Sequence, residues 1–232
     1  MSTYTQPVPR AIPEAARQLV WFAGVSVVAF LVPYVGVSVL DLQHDLFYLV
    51  YFAVTITLVA AYVRVEEVDV STILRRRWRW SLGVGFVLAA FLVFNVFNTD
   101  DATARPNGMY FVFELLWRAA GYGLVDTLLL TIFPCFVAYK LLHGRVDGVK
   151  GKLRFTALTL PLVLVITAVY HWGYPQYRED GLTRPETGNL LISPTFATAN
   201  PVGSVAAHVS QHVAAVTHAY ESEIFNPPVT KS

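Results

Sequence analysis

The sequence predicts an all-α fold: a polytopic membrane bundle of five to six transmembrane helices plus a polar helix embedded among them. Three observations predict it. Of 232 residues, 55% are hydrophobic and 14% charged, against roughly 25% charged in an average soluble domain, and the mean hydropathy is +0.49. Several apolar runs approach or exceed the roughly 20 residues that cross a hydrocarbon core of about 30 Å. The basic residues gather in alternate loops, as they do in multi-pass membrane proteins. The formal net charge of +1 gives no basic face for nucleic acid. The single cysteine, Cys135, excludes an internal disulfide and any CxxC metal or redox motif.

The elements follow in order. Residues 1–16 contain Pro7, Pro9 and Pro13 and read as a flexible cytoplasmic tail, with no short apolar core of a cleaved leader. A single transmembrane domain is expected over 17–220, and residues 221–232, with Pro227 and Pro228, as a second loose tail. The first apolar run is Gln18 to Leu40, with Pro33 as a kink of the kind membrane helices tolerate. The second is Leu46 to Val63, and the third Ser81 to Phe97, closed by a Pro106-Asn107-Gly108 turn. The fourth, Met109 to Leu142, would be about 50 Å long as one straight helix. It must tilt, break near Gly121 and Gly123, or begin outside the core. The fifth is Leu153 to Trp172. A polar loop, Tyr174 to Thr187, leads to a weak sixth element, Val202 to Tyr220, too polar for hydropathy to mark as a span.

Basic residues set the orientation. With the N-terminus in the cytoplasm, twelve Lys and Arg lie inside and three (Arg105, Arg178, Arg184) outside, which matches the positive-inside rule for a cell-membrane protein. Trp21, Trp78 and Trp172 fall near run ends, where interfacial aromatics concentrate.

Three charged residues interrupt the interior of the fourth run, Glu114, Arg118 and Asp126, and Lys140 falls at its end. Each costs about 2.5–3.5 kcal/mol at a helix centre unless paired or wetted. Glu114 and Arg118, four apart, share a helical face with the acid first, a spacing that permits a salt bridge. It serves either as a structural pair that fixes packing or as a polarised carboxylate in a cavity. Asp126 lies about 80° round the helix from Arg118 and is read as structural.

The histidines sort by place. His44 and His143 fall in loops and read as solvated. His171 ends the fifth run on the outer side. His208 and His212 share one face of the sixth element, and His218 points elsewhere. An H-x-x-x-H pair can ligate a metal, but two ligands do not complete a site, so neither a metal nor another cofactor is expected. The sixth element follows an outer loop, so His208 should enter from outside. Glu114, Arg118, His171 and His208 would then converge at similar depth, the usual pointer to a site.

At this point the chain resembles the CPBP family, the multi-pass membrane proteins that include CAAX prenyl endopeptidases and bacteriocin-processing or abortive-infection proteins. The family's first motif is E-E-x-x-x-R; here Phe113-Glu114-Leu115-Leu116-Trp117-Arg118 matches from the second Glu through the Arg. Its last motif is a His followed by an Asn, often after Gly-Ser and small residues; Gly203-Ser204-Val205-Ala206-Ala207-His208 resembles that approach, with His212 in the Asn position. His171 takes the place of the middle F-x-x-x-H histidine, with Thr167 where Phe is expected. The first Glu of the pair, the family's general base, is Phe113 here. The resemblance covers residues 109–220.

What the resemblance implies is a metal-independent, glutamate-dependent intramembrane hydrolase acting on a membrane peptide or protein. Glu114 would then be the base, held ionised by Arg118. His171 would orient water, and His208 with His212 would polarise the scissile carbonyl. The alternative is an inactive scaffold that binds a membrane peptide, lipid-linked ligand or partner protein. A third reading, a small transporter or proton relay, uses the same intramembrane charges but lacks inverted repeats. Membrane lipids surround the chain in every reading.

Overall fold

The structure, a computed structural model, describes residues 13–221. It is 83% helical, without strands among the described residues. The two tails expected at 1–16 and 221–232 fall almost wholly outside the described residues. Of the first, Glu14 to Ala16 are already helical.

Five helices are long and apolar enough to cross a membrane. They are α1 (Glu14–Val39), α2 (His44–Val65), α4 (Trp78–Thr99), α5 (Gly108–Leu141) and α6 (Gly148–Trp172). A short α3 (Val70–Arg75) caps the loop between α2 and α4, its first turn fixed by Asp69 accepting from Thr72 N–H at 2.9 Å. Phe86, Val87, Phe91 and Phe94 of α4 are exposed, as are Leu49 and Ile56 of α2. A surface this apolar belongs in lipid, so the chain is a multi-pass, membrane-embedded bundle.

Ion pairs gather the basic residues at one end. Glu66 is buried at the close of α2, where it accepts from Arg17, Gln18 and Trp21 of α1 at 3.0, 2.6 and 2.9 Å. Asp147 pairs with Arg76 and Arg77 at 2.6 and 2.9 Å, and Glu14 with His143 at 3.1 Å. This is the arginine-rich end of the bundle, and Asp100, Arg105 and Gly173 mark the opposite end.

Pro33 does not break α1. The helix continues with a π-helical stretch, Tyr34–Val39. Likewise α5 is a single helix of 34 residues, neither broken at Gly121 nor at Gly123. Two π-helical stretches, Leu115–Gly121 and Leu128–Ile132, absorb the misfit. Each widens the turn and rotates the residues beyond it, so the angle of 3.6-residue geometry between Arg118 and Asp126 does not apply. With 67% of its most apolar window buried, against 28–39% in the other four, α5 is the central helix.

The last quarter of the chain departs most from expectation. Instead of a polar outer loop, α7 (Pro175–Asp180), α8 (Thr183–Ile192) and a 3₁₀ turn (Ser193–Thr198) carry the chain through the bundle. Arg184 pairs with Asp100 at the far end. Ile192 packs on Leu92 at mid-depth, and Phe196 on Phe155 and Val146 near the arginine-rich end. Asn200 completes the descent. Its amide donates to the carbonyls of Ile73, Leu74 and Arg76 at 3.0, 2.9 and 2.5 Å.

Helix α9 (Val202–His218) therefore starts at the arginine-rich end and climbs parallel to α4. Gly203 N–H donates to Ser81 Oγ at 2.8 Å at its start, and Arg105 donates to the Thr217 carbonyl at 3.2 Å near its end. This corrects the expected entry of His208 from the outer side. The two helices touch backbone to backbone: a Cβ on Gly85 would lie 2.6 Å from Gly203 Cα. Ser81, Gly85 and Ala89 form the small-residue stripe that permits this approach.

Candidate active site in the bundle interior

Asp126 sits midway along α5, between the two π-helical stretches, and is 4% exposed. Its Oδ2 lies 2.9 Å from His208 Nε2, and its Oδ1 accepts the Tyr51 hydroxyl at 2.9 Å. One turn further along α9, His212 lies beside His208 with ring centroids 4.9 Å apart. The approach of α9 depends on Gly123, where a Cβ would meet the His212 ring at 3.1 Å and Val209 Cα at 3.3 Å. One ligand-type atom from each of Asp126, His208 and His212 falls within 4.8 Å of the others.

His171, near the end of α6, faces the same cavity. Its Nδ1 bonds the Thr167 carbonyl at 2.8 Å. Carbonyl oxygens only accept, so Nδ1 carries the proton and Nε2 presents a lone pair. The cavity is about 70 Å³ and is also lined by Tyr122, Arg184, Asn189 and Gln211. It is large enough for a few water molecules. A larger cavity of about 430 Å³ adjoins it and shares Tyr177, Arg184, Gly188 and Gln211. Its wall is mixed, with Leu92, Val96 and Leu191 beside Asn95, Asp100 and Asp180.

The structure thus brings together His171, His208 and His212, and adds Asp126, for which sequence reasoning expects a structural role. It does not bring Glu114 to them, whereas Arg118 lies close enough for its charge to act on His212. Glu114 is twelve residues before Asp126, about 18 Å along the helix. Arg118 is fully buried, with Nη1 3.7 Å from Glu114 Oε2 and its guanidinium 4.4 Å above the Tyr220 ring. Tyr220 donates to the same carboxylate oxygen at 3.0 Å. Partial burial and that bond push the Tyr220 hydroxyl up to about 12, so it stays a donor. The three residues clip the end of α9 to the start of α5, and none of them lines either cavity.

Sequence reasoning misses the tyrosines. Tyr51, Tyr122, Tyr170 and Tyr174 are buried behind Asp126. Tyr170 OH lies 2.7 Å from Tyr174 OH and 3.2 Å from Tyr122 OH. Tyr51 stacks on Tyr170 at 5.4 Å, which holds its hydroxyl toward the carboxylate. Tyr48-x-x-Tyr51 and Tyr170-x-x-x-Tyr174 are the signals that point to them, a helical face of hydroxyls within apolar runs.

The arrangement sets a buried carboxylate–histidine pair beside a water-sized cavity. With Asp126 ionised, His208 donates through Nε2, which leaves Nδ1 as its basic nitrogen. That atom is buried and has no hydrogen-bond partner among the described residues. A carboxylate that fixes a histidine tautomer and supports the developing imidazolium is the arrangement general-base catalysis uses. No family model, curated protein or solved structure matches this chain.

Proposed function

We propose that the chain is an intramembrane hydrolase of the kind its CPBP resemblance implies, with Asp126–His208 as the water-activating pair in place of Glu114. The observation that carries this reading is the buried carboxylate–histidine pair on the wall of a water-sized cavity. His208 Nδ1 would take the water proton as the oxygen attacks a carbonyl carbon and the C=O pair moves onto the carbonyl oxygen; the adduct would then collapse with cleavage of the C–N bond, and His208 would return the proton to the departing nitrogen. His171 Nε2 would accept a hydrogen bond from the second hydrogen of the same water. The adjoining cavity, apolar on one wall and polar on the other, suits a membrane peptide or another amphiphilic substrate. With the arginine-rich end in the cytoplasm, as the positive-inside rule would place it, the Asp126–His208 pair would lie near mid-depth in a cell membrane, with His171 and Arg184 toward the outer side.

The test is turnover of a quenched membrane-peptide library by the purified protein in lipid nanodiscs. Asp126→Asn and His208→Gln should each lower kcat by about 100-fold or more, the scale of a lost general base, while Glu114→Gln retains turnover. Loss with Glu114→Gln and retention with Asp126→Asn would return the base to Glu114. Saturable peptide binding without turnover would favour the scaffold reading, which the separation of Glu114 from the histidines also supports.

A further inference from the structure

We infer that Asp126, His208 and His212 are the protein ligands of a first-row divalent transition ion of the zinc class. Metal binding would use the same side chains and compete with the Asp126–His208 hydrogen bond: with His208 Nε2 bound to an ion, that bond would be lost and Nδ1 would carry the proton, so His208 would serve as a ligand and not as the base.

The donor set comes first. Two imidazoles and one carboxylate suit zinc and its neighbours rather than calcium or magnesium, which prefer oxygen alone. Three protein ligands with one open position is the pattern of zinc sites that act on substrates. The four-residue spacing places both imidazoles on one face of α9, and the α5–α9 contact at Gly123 brings the carboxylate to them. Tetrahedral coordination with bonds near 2.0–2.1 Å needs donor atoms roughly 3.4 Å apart. Here Asp126 and His208 stand 2.9 Å apart, and all three donors lie within 4.8 Å. Rotations about the side-chain bonds cover the difference.

Charge is the second argument. The groups bonded to the Asp126 carboxylate are Tyr51 and His208, neither a permanent cation. The permanent cation on the cavity wall, Arg184, is paired with Asp100; a buried carboxylate without a bonded cation is costly, and a divalent ion in contact with it would supply that charge. Outer-shell support is also in place. Tyr51 fixes the far carboxylate oxygen, as such partners do in metal sites. The cavity lies against the cluster and leaves room for a fourth ligand, and His171 Nε2 presents a lone pair on the same wall.

A structural Asp–His pair would account for Asp126 and His208. It would not by itself bring a second imidazole, His212, which also packs edge-on against Tyr122, to within 4.8 Å of both.

The test uses tag-free, full-length protein in detergent, stripped with a chelator and titrated with Co²⁺. A visible d–d absorption of a four- or five-coordinate cobalt site should saturate at one ion per chain, and Zn²⁺ should displace it. His212→Ala and Asp126→Asn should weaken binding beyond the roughly 10–100-fold that loss of an outer-shell partner costs. His143→Ala, at the arginine-rich surface, should leave it unchanged. Because ligand loss can also unfold the bundle, Asp126→Cys provides a positive reading. It should retain cobalt and add a thiolate-to-metal charge-transfer band, since the other thiol, Cys135, is buried elsewhere. Absence of a saturable site in folded wild type, or an Asp126→Cys spectrum lacking that band, would overturn the inference. Turnover by metal-stripped protein that binds no cobalt would sink the metal site and leave the hydrolase standing. Stoichiometric cobalt without turnover would do the reverse.

Discussion

Replacing Gly85 or Gly203 with alanine should pry α4 from α9 and disturb the site through helix position alone. A Cβ on Gly85 would lie 2.6 Å from Gly203 Cα and 2.8 Å from its carbonyl carbon, and one on Gly203 would lie 2.8 Å from the Ser81 carbonyl carbon. Carbon atoms rest about 3.5–4.0 Å apart, so the helices must separate by about 1 Å. The obstructing atoms are backbone, and no side-chain rotation relieves them. Overpacking of this kind costs about 1–3 kcal/mol. Gly83, on the same helix, is open: a Cβ there would meet nothing within 4 Å. Alanine at that position should be neutral or gain up to about 1 kcal/mol of helix propensity. Thermal unfolding in detergent, followed by circular dichroism, should show Gly85→Ala and Gly203→Ala melting below wild type and Gly83→Ala at or above it. Cobalt affinity should fall with the first two and not the third, because α9 carries both histidines. If Gly85→Ala and Gly83→Ala proved indistinguishable in both assays, the close parallel α4–α9 contact would be refuted.

Other changes probe the remaining joints of the bundle. Asn200→Ala removes three donated contacts and the acceptor of Val202 N–H at 2.8 Å. At about 0.5–1.5 kcal/mol each, it should cost roughly 2–6 kcal/mol in denaturant titration. Glu66→Ala strips the partner from Arg17, Gln18 and Trp21 and should cost about 3 kcal/mol, in the range for breaking a buried charged cluster. Arg17→Ala should cost under about 1 kcal/mol, because that side chain is half exposed; equal losses from the two would contradict the burial argument. Glu114→Ala leaves the fully buried Arg118 without its carboxylate and should cost about 3–5 kcal/mol while cobalt affinity stays at the wild-type value. A loss of cobalt binding in a folded Glu114→Ala protein would mean that Glu114 reaches the metal cluster.

The all-α membrane fold was legible because hydropathy reports directly on which helices meet lipid. Runs such as Leu46 to Val63 need no tertiary information to be recognised. The same measure fails for α8 and the 3₁₀ turn after it. Their surroundings are α6, α4 and α9 rather than lipid, so Thr187, Asn189 and Thr195 are accommodated by local carbonyls, as in the Thr195 bond to Ile192 at 2.9 Å. Helix α9 was misplaced for a related reason. The side from which it enters depends on whether the segment before it crosses the bundle, which loop polarity cannot reveal. The stripe Ser81-x-x-x-Gly85-x-x-x-Ala89 was a usable signal that another helix docks on α4.

Composition and period were enough to establish the solvent around this protein, its five long helices, and the isolation of Glu114, Arg118 and Asp126 as the charged residues in the interior of apolar runs, away from their ends. Each of these depends on neighbours within a few turns of the same chain segment. Which polar residues meet is a matter of packing. Two π-helical stretches rotate α5 away from the 3.6-residue register, so Glu114 turns to Tyr220 and Asp126 to His208. The glycine contacts at Gly85, Gly123 and Gly203 then set α9 close enough for His208 and His212 to reach the carboxylate. Those contacts join residues some 80 positions or more apart in the chain, where the fit of one helix against another decides and no local pattern does.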